Sequence, residues 1–258
     1  MSIKGKRLLY IGIALLIYLT FISFPTYLFT NDLYVLRGVE LGLRVGYLIF
    51  IILFSIFTKI AQTYTGKTRF KNLFLLLPLF FVAFINLFYL AIMGTQFDNP
   101  LSTIITSDGV DVYNLLKLFT IIVTVVEEEL LFRYIIQRNL TIGHKLVRIT
   151  VTAAIFAACH FFFMLYDGLG TINPLDLFEI IFVFGIGIIL GFLYEYTNNI
   201  FVPMTFNLIY SLCNYMLYKV SISNTTNWQY YLTISLFAVG AASYLLIFYF
   251  LMLKRENR

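Results

Sequence analysis

Eight apolar stretches, each long enough to cross a bilayer, follow one another along the chain at approximately 8–29, 41–62, 73–94, 113–139, 147–166, 176–196, 199–218 and 229–253. A bilayer core takes on the order of 20 apolar residues per helical crossing. No water reaches the backbone inside that core, so each N–H and C=O must be satisfied within the segment, and a run of this length does so as a helix. The chain is therefore expected to be an all-α, polytopic transmembrane helical bundle of about eight spans. Composition agrees, because 60% of residues are hydrophobic and only 12% are charged, with a mean hydropathy of +0.89. A soluble domain carries roughly 25% charged residues.

The net charge of +5 would suggest nucleic acid in a soluble protein. Here the Lys and Arg residues gather in alternate loops, which is the positive-inside pattern. Lys4, Lys6 and Arg7 precede the first stretch, and Lys59, Lys67, Arg69 and Lys71 separate the second from the third. Arg138, Lys145 and Arg148 separate the fourth from the fifth, and Lys254, Arg255 and Arg258 follow the eighth. The opposite loops hold Asp32, Asp98, Asp108, Asp111 and Asp167, with Arg37 and Lys219 as their basic members. Both termini are thus expected to be cytoplasmic, with the lipid bilayer as a partner and no nucleic acid. The first stretch is too long for a signal-peptide core and lacks a small-residue cleavage site, so a retained span is expected. Cys159 and Cys213 lie inside apolar stretches, where a disulfide framework of the secreted type is not expected. No Ser/Gly-rich linker or low-complexity segment interrupts the chain, and residues 1–258 are expected to form a single integral membrane domain. Pro78 and Pro203 fall in or near spans, where mild kinks are expected. The richness in Ile, Phe, Tyr and Asn suggests an AT-biased bacterial genome, hence a bacterial plasma membrane.

The segment Val125-Val126-Glu127-Glu128-Glu129-Leu130-Leu131-Phe132-Arg133 puts three acids and one base inside the fourth stretch. Each ionisable side chain at membrane depth is expensive, on the order of 2.5–3.5 kcal/mol by insertion scales, and faces the bundle interior or a wet cavity. At ~100° per residue the acids fan out, so Glu129 meets Arg133 at i,i+4 while Glu128 points elsewhere. An arginine that engages one carboxylate leaves the other for general-base work. His160, in Phe156-Ala157-Ala158-Cys159-His160 of the next stretch, needs a polar partner there, and the acids are the candidates. Counted at ~1.5 Å per residue, Glu128, His160 and Asn207 lie roughly 16, 20 and 12 Å from the cytoplasmic face, so the three can share a layer. The residues alone leave open a structural ion cluster or a transporter's ion relay, although no inverted repeat is evident. Arg44 and Lys117 are expected to snorkel or to pair with a buried acid. Glu195, Asn198 and Asn199 are expected to close the turn between the sixth and seventh stretches by capping.

These residues resemble the CPBP intramembrane proteases, a family that includes the CAAX prenyl endopeptidases and bacterial bacteriocin-immunity proteins. Its motif Glu-Glu-x-x-x-Arg is matched by Glu128, Glu129 and Arg133, and its motif Phe-x-x-x-His by Phe156 and His160 on the following helix. The resemblance covers roughly residues 113–218. Relatives carry a further His, followed four residues later by Asn, shortly after a Pro. Here that stretch reads Pro203-Met204-Thr205-Phe206-Asn207-Leu208-Ile209-Tyr210-Ser211 and holds no histidine. Asn207 and Ser211 align with the His and the Asn, or a shifted alignment puts Asn207 on the Asn. The Gly that often follows the motif Arg is Tyr134.

The resemblance implies an endopeptidase that cuts a peptide or membrane-protein segment within or near the cytoplasmic half of the bilayer. Glu128 is then the base that activates water, Glu129 and Arg133 are the orienting pair, His160 and Asn207 hold the scissile carbonyl, and Phe156 and Ser211 line the substrate cavity. No metal is required on this reading, and a zinc site would have an incomplete ligand set. The alternative is a non-catalytic relative, a membrane scaffold or bacteriocin-immunity protein that binds a partner.

Overall fold

The computed structural model describes residues 3–24, 32–58, 105–106, 109–140, 144–167 and 174–221. Among these residues the architecture is helical, with α1 (Ile3–Ile22), α2 (Leu33–Thr58), α3 (Val112–Glu128), α4 (Lys145–Asp167), α5 (Pro174–Thr197) and α6 (Phe201–Ser221). Helix α3 runs directly into a π-helical segment, Glu129–Gln137. A small antiparallel ladder precedes it, with β1 (Ile105–Thr106) paired to β2 (Gly109–Val110). By length and composition, Gly5–Ile22, Leu33–Thr58 and Lys145–Phe162 can each cross a membrane, and α5 and α6 contain the shorter apolar segments Val183–Thr197 and Phe201–Leu212. The stretches expected at 73–94 and 229–253 lie outside the described residues, as does each terminus.

Two apolar clusters hold these helices together, and α4 contributes to both. In the first, α1, α2, the π segment and α4 meet around buried Tyr18, Tyr47, Phe132 and Phe156. Ala14 is small enough for Tyr47 to donate its hydroxyl hydrogen to the Ala14 carbonyl at 3.2 Å. The rings of Tyr18 and Phe132, then of Phe132 and Phe156, meet edge to face at 5.7 and 4.9 Å, an arrangement favoured by the ring quadrupoles. In the second cluster, Ile149 of α4 packs with Ile186, Ile189 and Leu190 of α5 and Phe206 of α6. Gly187 and Gly191 set the spacing there. A Cβ on Gly187 would lie 3.1 Å from the Ala153 backbone, and one on Gly191 would lie 2.9 Å from Ile149 Cγ2. Small residues four apart let helices approach closely in lipid, where dispersion contact rather than water exclusion drives association.

From Glu129 onward the π segment winds with i→i+5 bonds and departs from ~100° per residue, yet Glu129 still meets Arg133 at i,i+4 as expected. Its lower end is pinned where buried Gln137 donates through Nε2 to the Gly191 carbonyl at 3.0 Å. Glu195 also departs from the expected cap. It accepts from Arg148 Nη2 at 3.1 and 3.2 Å, tying α4 to α5, because a half-buried carboxylate gains more from a guanidinium than from a neutral amide. The turn that follows is closed by its two asparagines. Asn198 takes a left-handed φ of 50°, tolerated by Asn, and Asn199 Oδ1 accepts the Phe201 amide at 2.8 Å. Pro203 falls in the first turn of α6, where its missing N–H interrupts no helical bond, so the kink expected there is not required.

Candidate active site

Three consecutive acids at the end of α3 take three different partners. Glu127 is fully buried and forms an ion pair with Arg44 of α2. Glu129 is also buried; it lies 3.4 Å from Arg133 Nε and accepts a hydrogen bond from Asn207 Nδ2 at 3.0 Å. The Arg133 guanidinium is sealed from solvent and sits 5.5 Å from the centre of the Phe156 ring, a cation–π contact. Glu128 takes the remaining direction, and its Oε1 stands 3.7 Å from His160 Nε2.

The imidazole is fixed by its own helix. His160 Nδ1 lies 3.0 Å from the Phe156 carbonyl oxygen, and a carbonyl can only accept, so Nδ1 carries the hydrogen. Neutral His160 therefore presents a bare Nε2 toward Glu128. In the neutral ring that tautomer leaves Nε2 as an acceptor. At 3.7 Å the two groups are too far apart for a direct bond. A water about 2.8 Å from each fits at the apex of the triangle they form.

Asn207 is oriented from both ends. Its amide nitrogen donates to Glu129, and its Oδ1 lies 3.5 Å from the Ser211 hydroxyl one turn further along α6. One of its two N–H donors is thus engaged and the second remains.

Glu128, His160, Asn207, Phe156 and Ser211 line one cavity of about 400 Å³, together with Arg44. Glu129 and Arg133 do not line it; they stand behind its wall. Of the seven site residues expected from sequence, five therefore share the cavity and two brace it. The cavity extends to Arg37 and Glu40 near the start of α2 and to Lys117 near the start of α3. Lys117 Nζ rests 4.9 Å from the centre of the Tyr215 ring. Arg44 pairs with a buried acid, one of the two outcomes expected for it, but its place at this cavity was not foreseen. The signal for it is arithmetic: three acids on one span cannot be balanced by Arg133 alone, and Arg44 is a cation inside the second apolar stretch.

Zinc takes three or more protein ligands. Among the described residues no three of His, Cys, Asp and Glu converge in that way, and the donor set at Glu128 and His160 does not fit the metal.

The fold and the cavity together define a polytopic membrane protein with a carboxylate–imidazole site sunk among apolar helices. Residues 112–216, from the start of α3 into α6, match the family model described as type II CAAX prenyl endopeptidase Rce1-like. The segment that holds the site is thus similar to the Rce1-like family, in keeping with the CPBP resemblance of its motifs. No curated protein and no solved structure matches the chain.

Proposed function

We propose that the protein is an intramembrane endopeptidase in which Glu128 activates a water held jointly with His160. The observation that carries this reading is the 3.7 Å gap between Glu128 Oε1 and His160 Nε2 inside a cavity enclosed by apolar helices. A water that donates one hydrogen to each of these acceptors turns its lone pairs toward the cavity. Glu128 takes a proton as the water oxygen bonds to the scissile carbonyl carbon, and the carbonyl π electrons move to oxygen. When the C–N bond breaks, the proton on Glu128 passes to the departing nitrogen. The free N–H of Asn207 faces the oxyanion, and Glu129 with Arg133 keeps Asn207 and the helix in register.

This chemistry requires no metal, and cleavage is expected to survive a chelator. The substrate class is a peptide or membrane-protein segment, unwound at the cut so that its carbonyl is reachable. The host surface is a cell membrane, a bacterial plasma membrane on the compositional argument. On the orientation favoured by the loop charges, the starts of α2 and α3 face away from the cytoplasm. The peptide then reaches Glu128 from that side, rather than from the cytoplasmic half implied by the resemblance.

One observation favours a second reading, a non-catalytic scaffold or bacteriocin-immunity protein that binds a partner. The stretch Pro203–Ser211 holds no histidine, unlike the pattern that the resemblance implies, and the Asn207 amide is partly spent on Glu129. Terminal-amine mapping of host membranes separates the two readings. New N-termini present with the wild type should vanish with Glu128→Gln and with His160→Ala at equal protein abundance. Termini unchanged in both variants would favour the scaffold.

A further inference from the structure

We propose that Arg44 is a catalytic residue of this site, the cation that meets the oxyanion, an inference that rests on the endopeptidase reading above. With Nδ1–H committed to the Phe156 carbonyl, neutral His160 has no hydrogen to offer the oxyanion. Asn207 has one spare N–H, since the other is engaged by Glu129. A tetrahedral intermediate in a water-poor cavity is thus short of donors unless another element supplies them. Arg44 is the cation placed to do so. It lines the cavity with Glu128, within Coulombic range of that carboxylate, and its side chain is 15% exposed.

The ion pair with Glu127 fits this role better than a purely stabilising one. Glu127 is completely buried and does not line the cavity, whereas its partner does. A buried ion pair is a poor stability device, since apolar replacements are often neutral or better. As a bracket it makes physical sense: the acid anchors the guanidinium through Nη1 and leaves the other donors of the fork to the cavity. The bracket also brings α2, which lies outside the Rce1-like match, into the site.

The test uses the full chain in proteoliposomes and a quenched-fluorescent peptide spanning a cleavage point found by the terminal mapping. Arg44→Met/Glu127→Gln removes cation and acid together and leaves no buried charge unpaired. It should accumulate and melt like the wild type, with KM changed less than about 3-fold and kcat lowered about 100-fold. A kcat within about 3-fold of the wild type in this double variant would overturn the proposal, because Arg44 would then only balance Glu127. Arg44→Lys retains the charge and loses the fork, and an intermediate loss of about 10-fold in kcat is expected. Should the double variant fail to accumulate, Arg44→Lys decides alone, and a wild-type kcat there overturns the proposal. Glu128→Gln runs alongside: cleavage that survives it sinks the Glu128-activated mechanism on which the proposal rests, whatever the Arg44 variants do.

Discussion

Two acid–base pairs start from adjacent glutamates and have opposite surroundings. The Glu129 and Arg133 side chains are 1% and 0% exposed, while those of Glu128 and His160 are 9% and 32% exposed. Both separations are loose for direct bonds, at 3.4 and 3.7 Å. The first gap is closed over by protein and backed by Asn207 and Phe156. The second opens on the cavity of about 400 Å³. Adjacent glutamates thus differ in kind: one belongs to a pair sealed in protein, the other to a pair that faces the cavity.

That division implies different failures on substitution. Glu128→Gln should lower kcat by about 10³–10⁴-fold, within the range for a lost general base, while leaving the melting temperature in detergent unchanged. A large drop in melting temperature would blur the distinction. Arg133→Leu should do the reverse, with a destabilisation of about 3–5 kcal/mol from leaving Glu129 buried and unpaired. Arg133→Leu combined with Glu129→Leu should recover most of that loss in a chemical-denaturation series. Gly191→Ala should cost about 1–3 kcal/mol by forcing Ile149 and Gln137 aside, with little change in kcat per folded molecule. Ser211→Ala should have the smallest effect, about 1 kcal/mol or less, read as a kcat change below about 5-fold, because it removes only a long hydrogen bond to Asn207.

Much of this arrangement is legible in the residues themselves. The apolar stretches at 113–139, 147–166, 176–196 and 199–218 anticipate α3 with its π extension, α4, α5 and α6 to within a few residues at each end. Glu128, His160 and Asn207 could be brought to one layer by counting rise alone. The π segment was not legible, because an i→i+5 register leaves no mark on a uniformly apolar pattern. The Arg44–Glu127 pair joins residues 83 apart, and nothing local announces that α2 packs on α3. The His160 tautomer depends on a carbonyl one helical turn back, which only coordinates reveal. Gly187 and Gly191, four apart in an apolar run, are a readable sign of the face where α5 meets α4.

Everything chemical depends on Glu128 and His160 meeting across that gap, and dipolar-recoupling NMR on the full chain in bilayers measures it directly. With ¹³C-labelled glutamate and ¹⁵N-labelled histidine, and His144 replaced so that one imidazole remains, His160 Nε2 should couple to the Glu128 carboxyl carbon. The expected distance is at most roughly 5 Å, one carbon–oxygen bond beyond the 3.7 Å contact. Coupling that persists in Glu128→Gln only through the other glutamates, or no coupling at all, would show the two side chains turned apart and contradict the shared water.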